Sequence, residues 1–165
     1  MKILLIGVLV VTLVMAVLLL TPLGERPLAA LFTVGDVKPV DFEDLTLTDK
    51  PNQILMCPPG ICTGYADSPV FNVSVDELRA RWREVVAAQP RVELVAEDGQ
   101  QFDYIQRSAR FRFPDIITVR FISVPPSNST LAIYSRSVYG KSDFGVNRER
   151  IEAWLAAMSS LGEKL

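Results

Sequence analysis

Residues 91–137 read RVELVAEDGQQFDYIQRSARFRFPDIITVRFISVPPSNSTLAIYSRS, and this part of the chain sets the architecture. Asp98-Gly99 is a two-residue hairpin signal, because both central positions of such a turn take positive φ, so we predict a strand on each side of it. The segment Asp115–Val124 is rich in β-branched and aromatic residues and predicts a third strand, and Thr130–Ser137 predicts a fourth. The sequence therefore predicts an antiparallel meander.

One helix is predicted before the meander and one after it. Ser74 and Glu77 form an S-x-x-E capping box ahead of residues 75–88, which end before Pro90. Their apolar residues recur at helical spacing: Leu78, Trp82, Val85 and Val86. A last helix is predicted to start near Asn147 as its N-cap, with a buried stripe of Ile151, Trp154, Leu155, Met158 and Leu161. With a short strand at Gln53–Met56, we expect an α+β domain: a four- or five-stranded antiparallel sheet with two helices on one face.

An apolar run precedes this domain. Ile3–Leu20 contains 18 residues without a charge, which as a helix spans roughly 27 Å, close to the thickness of a bilayer core. The run is longer than the apolar part of most signal peptides, and cleavage after Ala30 would place Leu28 where a small residue is expected. We therefore predict an uncleaved transmembrane anchor, with a cleaved signal peptide as the alternative.

The flanking charges predict the topology. Lys2 and the amino terminus precede the apolar run, whereas Arg26 beyond it stands beside Glu25. Because positive charge is retained in the cytoplasm, we expect a single-pass inner-membrane protein with a cytoplasmic N-terminus and a periplasmic domain. The predicted division is an anchor at 1–22, an acidic extended linker at 23–52 and the α+β domain at 53–165.

Cys57 and Cys62 are the two cysteines of the chain, and they frame the sequence CPPGIC. In an exported domain such a pair is more often a disulfide than two free thiols. The spacing is not the CxxC of redox proteins, and two thiolates without a histidine do not make a metal site. We predict a local disulfide and neither metal nor cofactor.

Composition limits the chemistry further. The chain has no histidine, which excludes Ser-His-Asp triads, Cys-His dyads and histidine-ligated haem or zinc. Acidic residues dominate positions 25–70 and basic residues dominate positions 104–150. A basic face outside a membrane can meet anionic lipid, an acidic partner protein or the acidic linker of the same chain. Nucleic acid is not an expected partner in that compartment.

The most polar part of the chain joins the fourth strand to the last helix, and we call residues 134–148 the polar join. Strand alternation places Ser135 and Ser137 on one sheet face and Arg136 on the other. The second and fourth strands both become polar toward one end, so antiparallel pairing is expected to gather these ends at one edge. The ligand-binding residues predicted there are Arg107, Arg110, Arg136, Tyr139, Ser142, Asp143, Asn147 and Arg148.

Three interpretations of the polar join remain open. In an anion site, Arg136 and Arg148 would offer forked donors beside the N-terminus of the last helix. In a structural corner, Asp143 would bridge one of these arginines while Ser142 and Asn147 cap the helix. In a histidine-independent hydrolase or transferase, Asp143 would act with serine or tyrosine residues of the join.

Four segments of the chain resemble the domain of unknown function 1499 family: PNQILMCPPGIC, ADSPVF, RFRFPDIITVRF and YSRSVYGKSDFGVNRERIEAWL. The resemblance spans roughly residues 51–157. It implies a bacterial or plastid protein, commonly exported or anchored in a membrane, and it supplies neither a substrate nor a catalytic residue. The family pattern is matched at Ser135-Arg136-Ser137, Gly140, Ser142-Asp143, Gly145 and Asn147-Arg148.

These observations favour a non-catalytic role. We expect a membrane-anchored periplasmic domain that binds a lipid, an anionic ligand or a partner in a membrane complex through its basic edge. The rival expectation is the hydrolase or transferase described above. A third is a folded cap that stabilises a neighbouring complex through the transmembrane helix.

Overall fold

A computed structural model describes residues 2–21, 25–62, 66–158 and 163–164. The helices are α1 Lys2–Leu20, α2 Glu25–Leu31, α3 Val75–Ala87 and α4 Val146–Ala157. The strands are β1 Gln53–Cys57, β2 Ala66–Asp67, β3 Val70–Phe71, β4 Val92–Asp98, β5 Gln101–Arg107, β6 Pro114–Val124, β7 Asn128–Ser137 and β8 Glu163–Lys164. The α+β class is as predicted, whereas the short helix α2 lies in a segment for which the sequence predicted only extended chain.

The sheet is larger than predicted and is mixed rather than purely antiparallel. Its main path runs β2-β1-β7-β6-β5-β4, and β3 and β8 extend it beside β7, so that the described residues contribute eight strands. β1 and β2 pair in parallel, with Met56 opposite Ala66. The additional strands β2, β3 and β8 have two residues each. Segments of that length carry no periodic pattern, so the sequence could not reveal them.

The predicted meander is present as β4 to β7, joined by antiparallel pairing. The first hairpin turn is displaced by one residue from the prediction. Asp98 pairs with Gln101, so the central residues are Gly99 and Gln100, and Gly99 has a φ of 56°. Positive φ at the first central position alone is typical of a type II′ turn, which also matches the twist of the strands.

One face of the sheet packs against α3 and α4. The capping box starts α3 as predicted, because the Ser74 hydroxyl accepts the Glu77 N–H at 3.2 Å. Trp82 on α3 and Trp154 on α4 meet edge to face at 5.6 Å between ring centroids, and both lie in the same core as Ile133 of β7. Of the predicted α4 stripe, Leu161 lies outside the described residues.

The opposite face is covered by residues 37–47, which we call the strap. Phe42 of the strap is fully buried and packs with Leu55 and Ala132 of the sheet. Arg120 of β6 reaches both carboxylate oxygens of Glu43, at 3.0 and 3.1 Å. The segment that the sequence predicted as a linker therefore covers a sheet face, and one basic residue of the body does meet the acidic segment of its own chain.

Two further predictions concern the ends of the domain. Cys57 and Cys62 form a disulfide, with Cα atoms 5.8 Å apart, beside β1. Helix α1 has the length and apolar composition to cross a membrane, and its side chains make no core contacts. Such a helix is compatible with a membrane span or with a signal sequence.

Candidate functional site

The start of α4 is organised by Asp143 rather than by Asn147. Gly145 occupies the N-cap position with a φ of 89°, a conformation that glycine adopts without strain. The Asp143 carboxylate accepts the backbone N–H of Gly145 at 3.1 Å and that of Asn147 at 2.9 Å. The prediction that Asn147 caps the helix is therefore wrong: Asn147 lies in the first turn, and Asp143 from the preceding loop satisfies the free N–H groups.

Asn147 instead forms a buried hydrogen-bond centre between α4 and the sheet. It is 1% exposed. Its amide nitrogen, which carries two hydrogens, lies within hydrogen-bond distance of three acceptors: Asp143 at 2.8 Å, the Ser137 hydroxyl at 3.1 Å and the Asn52 carbonyl at 3.2 Å. Its amide oxygen accepts from the Ser135 hydroxyl at 2.5 Å. These contacts tie the helix to β7 and to the chain that enters β1.

Arg150 extends this network. It donates to Asn147 and to Ser135, and its guanidinium also contacts Gln106 of β5. Its main charge partner is Asp115 of β6, at 2.5 Å, and both side chains are almost fully buried. A buried ion pair with further hydrogen bonds fixes geometry more than it stabilises, because desolvation offsets much of the attraction. The polar join is thus rigidly held.

The electrostatics of Asp143 follow from the same contacts. Burial alone would raise the pKa of this carboxyl, but the N–H groups of Asn147 and Gly145 outweigh burial and lower the pKa below its ordinary value. Asp143 contacts neither Arg136 nor another arginine side chain in the described residues. The predicted arginine bridge to Asp143 is therefore replaced by backbone capping.

Arg136 lies on the opposite face of the sheet from the α4 network. Its guanidinium approaches the Thr118 hydroxyl at 3.4 Å and stacks over the Tyr134 ring at 4.7 Å. Thr118 in turn donates to the buried Asp103. Burial raises the pKa of Asp103 and lowers the pKa of Arg136. The alternation of residues along the strand was predicted correctly, and it separates Arg136 from Asp143 and Asn147, whereas Arg107 of β5 shares the face of Arg136.

Arg107 and Tyr139 hold the chain that leads toward α1. Arg107 donates to the carbonyls of Phe32, at 2.9 Å, and of Arg112, at 3.1 Å. The Tyr139 hydroxyl donates to the Thr33 carbonyl at 2.7 Å. Of the other predicted residues, Arg110 and Ser142 are exposed and Arg148 is half-buried. Ser142 accepts the N–H of Phe144 at 3.2 Å.

Aromatic side chains gather at this end of the sheet. Phe32 packs edge to face against Phe113 at 4.4 Å and against Tyr139 at 5.5 Å, and Phe111 stacks on Phe113 at 5.6 Å. Phe144 is 93% exposed and has a φ of 56°, which is unusual for a bulky residue. We call Phe32, Phe111, Phe113, Tyr139 and Phe144 the aromatic edge.

A cleft of about 280 Å³ opens between the aromatic edge and the polar join. Its walls include Phe113, Tyr139, Phe144 and Val146. Its polar lining consists of the carboxylates Asp115 and Asp143 and the hydroxyls Ser108, Ser137 and Ser142. The lining of the cleft therefore combines apolar side chains with a small number of carboxylates and hydroxyls, as ligand pockets usually do.

Residues 46–158 match the family described as "Protein of unknown function (DUF1499)". This is more than half of the chain. The chain belongs to the DUF1499 family. No curated protein matches its sequence. The match begins within the strap and ends just after α4, so the DUF1499 domain includes the whole meander, both packed helices and the polar join.

The residues through which the sequence resembles the family mostly have structural partners. Gly140 and Gly145 both take a φ of 89°, and the Gly140 carbonyl accepts from Asn52 at 2.9 Å. Ser135, Ser137 and Asn147 belong to one hydrogen-bond network. The structural interpretation therefore explains this part of the sequence, whereas the exposed Phe144 is left unexplained by packing.

Sequence analysis missed several residues of the DUF1499 site: Asn52, Gln106, Phe113, Asp115, Ser137, Phe144, Val146 and Arg150. Arg150 stands three residues after Asn147, and residues at that spacing share one helix face, so the signal was present. The cleft itself depends on the position of the chain after β5, which no local pattern specifies. Among the described residues, no three acidic or cysteine side chains converge to hold a metal ion.

Proposed function

We propose that this protein is a non-catalytic, membrane-anchored domain that binds membrane lipid through the aromatic edge and the adjoining cleft. Helix α1 is the anchor in this proposal, and the domain rests on the outer surface of the inner membrane. Lys2 at the start of α1 favours a cytoplasmic N-terminus. The disulfide favours an oxidising compartment, and hence a periplasmic domain.

The observation that carries the proposal is the short distance between the anchor and the aromatic edge. Phe32 belongs to the edge, and residues 21–31 separate it from the end of α1. The seven residues of α2 rise about 10 Å, and four residues span at most about 14 Å even when fully extended. With the two links that join these segments to α1 and to Phe32, Phe32 lies within roughly 30 Å of the point where α1 ends if α1 crosses the bilayer.

The chemistry of the edge fits a lipid–water interface. Phe111 and Val146 are about half exposed, and Phe144 is almost fully exposed. The amphipathic ring of a tyrosine such as Tyr139 prefers the headgroup region of a bilayer, and phenylalanine rings of interfacial segments enter the headgroup/acyl boundary. Moving apolar surface out of water yields about 25 cal/mol per Å². The basic residues Arg110 and Lys141 stand beside this surface and are exposed. Each contributes about 1 kcal/mol of attraction to an anionic membrane surface.

The conformation of Phe144 also supports recognition. A non-glycine residue in the left-handed region costs on the order of 1–3 kcal/mol. Neither burial nor packing offsets this cost, because the side chain is 93% exposed. The hydrogen bonds of Ser142 and Asp143 hold the loop in this shape. An exposed ring held in an unfavourable conformation is explained if it contacts a partner, and the bilayer is the partner within reach.

The hydrolase alternative receives less support. Its proposed acid or base, Asp143, is engaged by three N–H donors, and its pKa is lowered below the ordinary value by the N–H groups of Asn147 and Gly145, against the effect of burial. General acid–base catalysis near neutral pH is favoured by a carboxyl whose pKa is raised. Lipid binding does not require a carboxyl whose pKa is raised.

Hydrogen exchange on the wild-type full chain tests the proposal. The protein is reconstituted in lipid nanodiscs and, for comparison, in a lipid-free amphipathic polymer. We expect slower amide exchange in residues 109–113 and 138–146 when lipid is present, and unchanged exchange at the β4–β5 turn, which lies at the other end of β5. Equal amide exchange rates at the aromatic edge with and without lipid would refute the proposal.

A further inference from the structure

We propose that the cleft takes the headgroup of a zwitterionic phospholipid that carries a primary ammonium, with its acyl chains leaving past Phe144 and Val146 toward the bilayer. This inference rests on the proposed function and deepens it by naming the lipid class. It differs from the anionic ligand predicted from the sequence, because the described residues that line the cleft include carboxylates and no arginine.

Asp115 provides the first observation. This residue is 8% exposed, and its Oδ2 is paired with Arg150 at 2.5 Å. Its Oδ1 accepts no hydrogen bond from the described residues, although the side chain lines the cleft. This oxygen is not among the buried side-chain atoms that lack a partner, so it is open to the cleft and keeps an acceptor position there. A ligand N–H entering the cleft would satisfy it.

Asp143 provides the second acceptor. Its Oδ1 accepts one hydrogen bond, from Gly145, and therefore keeps a second acceptor position. Two carboxylates thus line the cleft, and Arg150 is paired with one of them, Asp115. The excess negative charge favours a cationic group and disfavours an anionic one, since a like charge in a partly desolvated site is destabilising.

Serine hydroxyl groups provide hydrogen-bond donors for the phosphate of such a headgroup. Ser137 accepts the Asn147 amide at 3.1 Å and Ser142 accepts the Phe144 N–H at 3.2 Å. A hydroxyl that accepts from the protein still has its own hydrogen to donate. Both serines line the cleft, and the exposed Lys141 is their neighbour in the chain. Donors and carboxylates thus occur together, as a zwitterion requires.

The size of the cleft limits what it holds. At about 280 Å³ it is slightly smaller than the usual 300–1,000 Å³ range of pockets that enclose whole small molecules. A headgroup therefore enters while the acyl chains stay outside, against the apolar wall. A trimethylated ammonium is bulkier and has no N–H to donate. The cleft should consequently discriminate between primary and trimethylated headgroups of equal charge.

Native mass spectrometry of the full chain tests this inference. The protein is released from micelles containing equal amounts of phosphatidylethanolamine, phosphatidylcholine and phosphatidylglycerol with identical acyl chains. We expect the ethanolamine lipid to be retained at least fivefold over each of the others. The preference should fall toward unity in Asp143→Asn and persist in the control Glu93→Gln, which alters an exposed carboxylate on β4. The wild-type comparison remains decisive if Asp143→Asn proves unstable.

The outcomes separate this inference from the proposed function. Equal retention of all three lipids, or preference for phosphatidylglycerol, overturns the headgroup assignment and leaves lipid binding intact. Retention of no lipid overturns both. Soluble glycerophosphoethanolamine is added as a competitor; displacement of the lipid at equal concentration would mean that a free amine ligand, rather than a lipid, occupies the cleft. Displacement only at large excess supports the lipid.

Discussion

Two substitutions at Phe144 separate its conformational cost from its contact with the membrane. Phe144→Gly and Phe144→Ala both remove the ring, but only glycine adopts a φ of 56° freely. The left-handed conformation costs a residue with a Cβ about 1–2 kcal/mol. The greater conformational freedom of glycine in the unfolded chain reduces this advantage by about 0.4–1 kcal/mol. We therefore expect Phe144→Gly to be more stable than Phe144→Ala by about 0.5–1 kcal/mol.

The comparison with wild type completes the prediction. Because the Phe144 ring is 93% exposed, its removal forfeits little packing, so Phe144→Gly should equal or exceed the stability of wild type. Both variants should lose contact with lipid, since burial of an aromatic side chain is worth about 1.5–3 kcal/mol. A gain in stability with a loss of binding is the pattern of a residue retained for function.

Urea unfolding of the full chain in micelles measures the stability, with fluorescence from the buried Trp82 and Trp154 as the signal. Lipid contact is read from hydrogen exchange of residues 138–146 in nanodiscs. A Phe144→Gly variant less stable than Phe144→Ala would refute the conformational argument. Unchanged lipid protection in both variants would refute the functional one.

Other predictions concern the polar join and the disulfide. Asp143→Asn should cost about 1–2 kcal/mol near neutral pH by weakening the cap of α4. The N–H groups around Asp143 outweigh burial and lower its pKa in the folded protein. The contribution of this carboxylate to the free energy of unfolding is therefore complete above the unfolded pKa and declines as pH falls through the folded pKa. Between pH 5 and pH 2, the stability of Asp143→Asn should consequently depend less on pH than that of wild type. Arg150→Met should cost about 3–5 kcal/mol by leaving Asp115 buried without its partner, whereas the control Arg83→Met, which breaks an exposed pair, should cost less than about 1 kcal/mol. Reducing the disulfide, which closes a short loop, should lower the free energy of unfolding by about 2 kcal/mol.

The sequence predicted those parts of the fold that repeat a pattern over many residues. β6 and α3 each carry such a pattern, and both were placed within one or two residues. The strap was missed as part of the core because its contacts depend on single residues. Phe42 is buried against a sheet face whose residues, from Leu55 to Tyr134, stand 13–92 positions further along the chain. No pattern in the sequence around Phe42 indicates that face.

The site was predicted in position but not in composition. Alternation along β7 correctly separated Arg136 from Ser137, yet Arg136 was pooled with Asp143 and Asn147 because a shared strand end was taken to mean a shared face. Asn147 and Asp143 are both residues that cap helices, and the choice between them depended on the path of the intervening loop. Phe144 drew no attention, because an aromatic residue in a sequence is ordinarily read as core.

The depth of residue 144 in the bilayer tests the central claim most directly. Phe144→Trp in the full chain is reconstituted into vesicles containing lipids brominated at known acyl positions, and the matched control is Asp98→Trp at the opposite end of β5. The emission of the buried Trp82 and Trp154 is subtracted using the parent protein. The account predicts strong quenching of Trp at position 144 and almost none at position 98. Equal quenching at the two positions, or none at either, would mean that the aromatic edge does not meet the membrane.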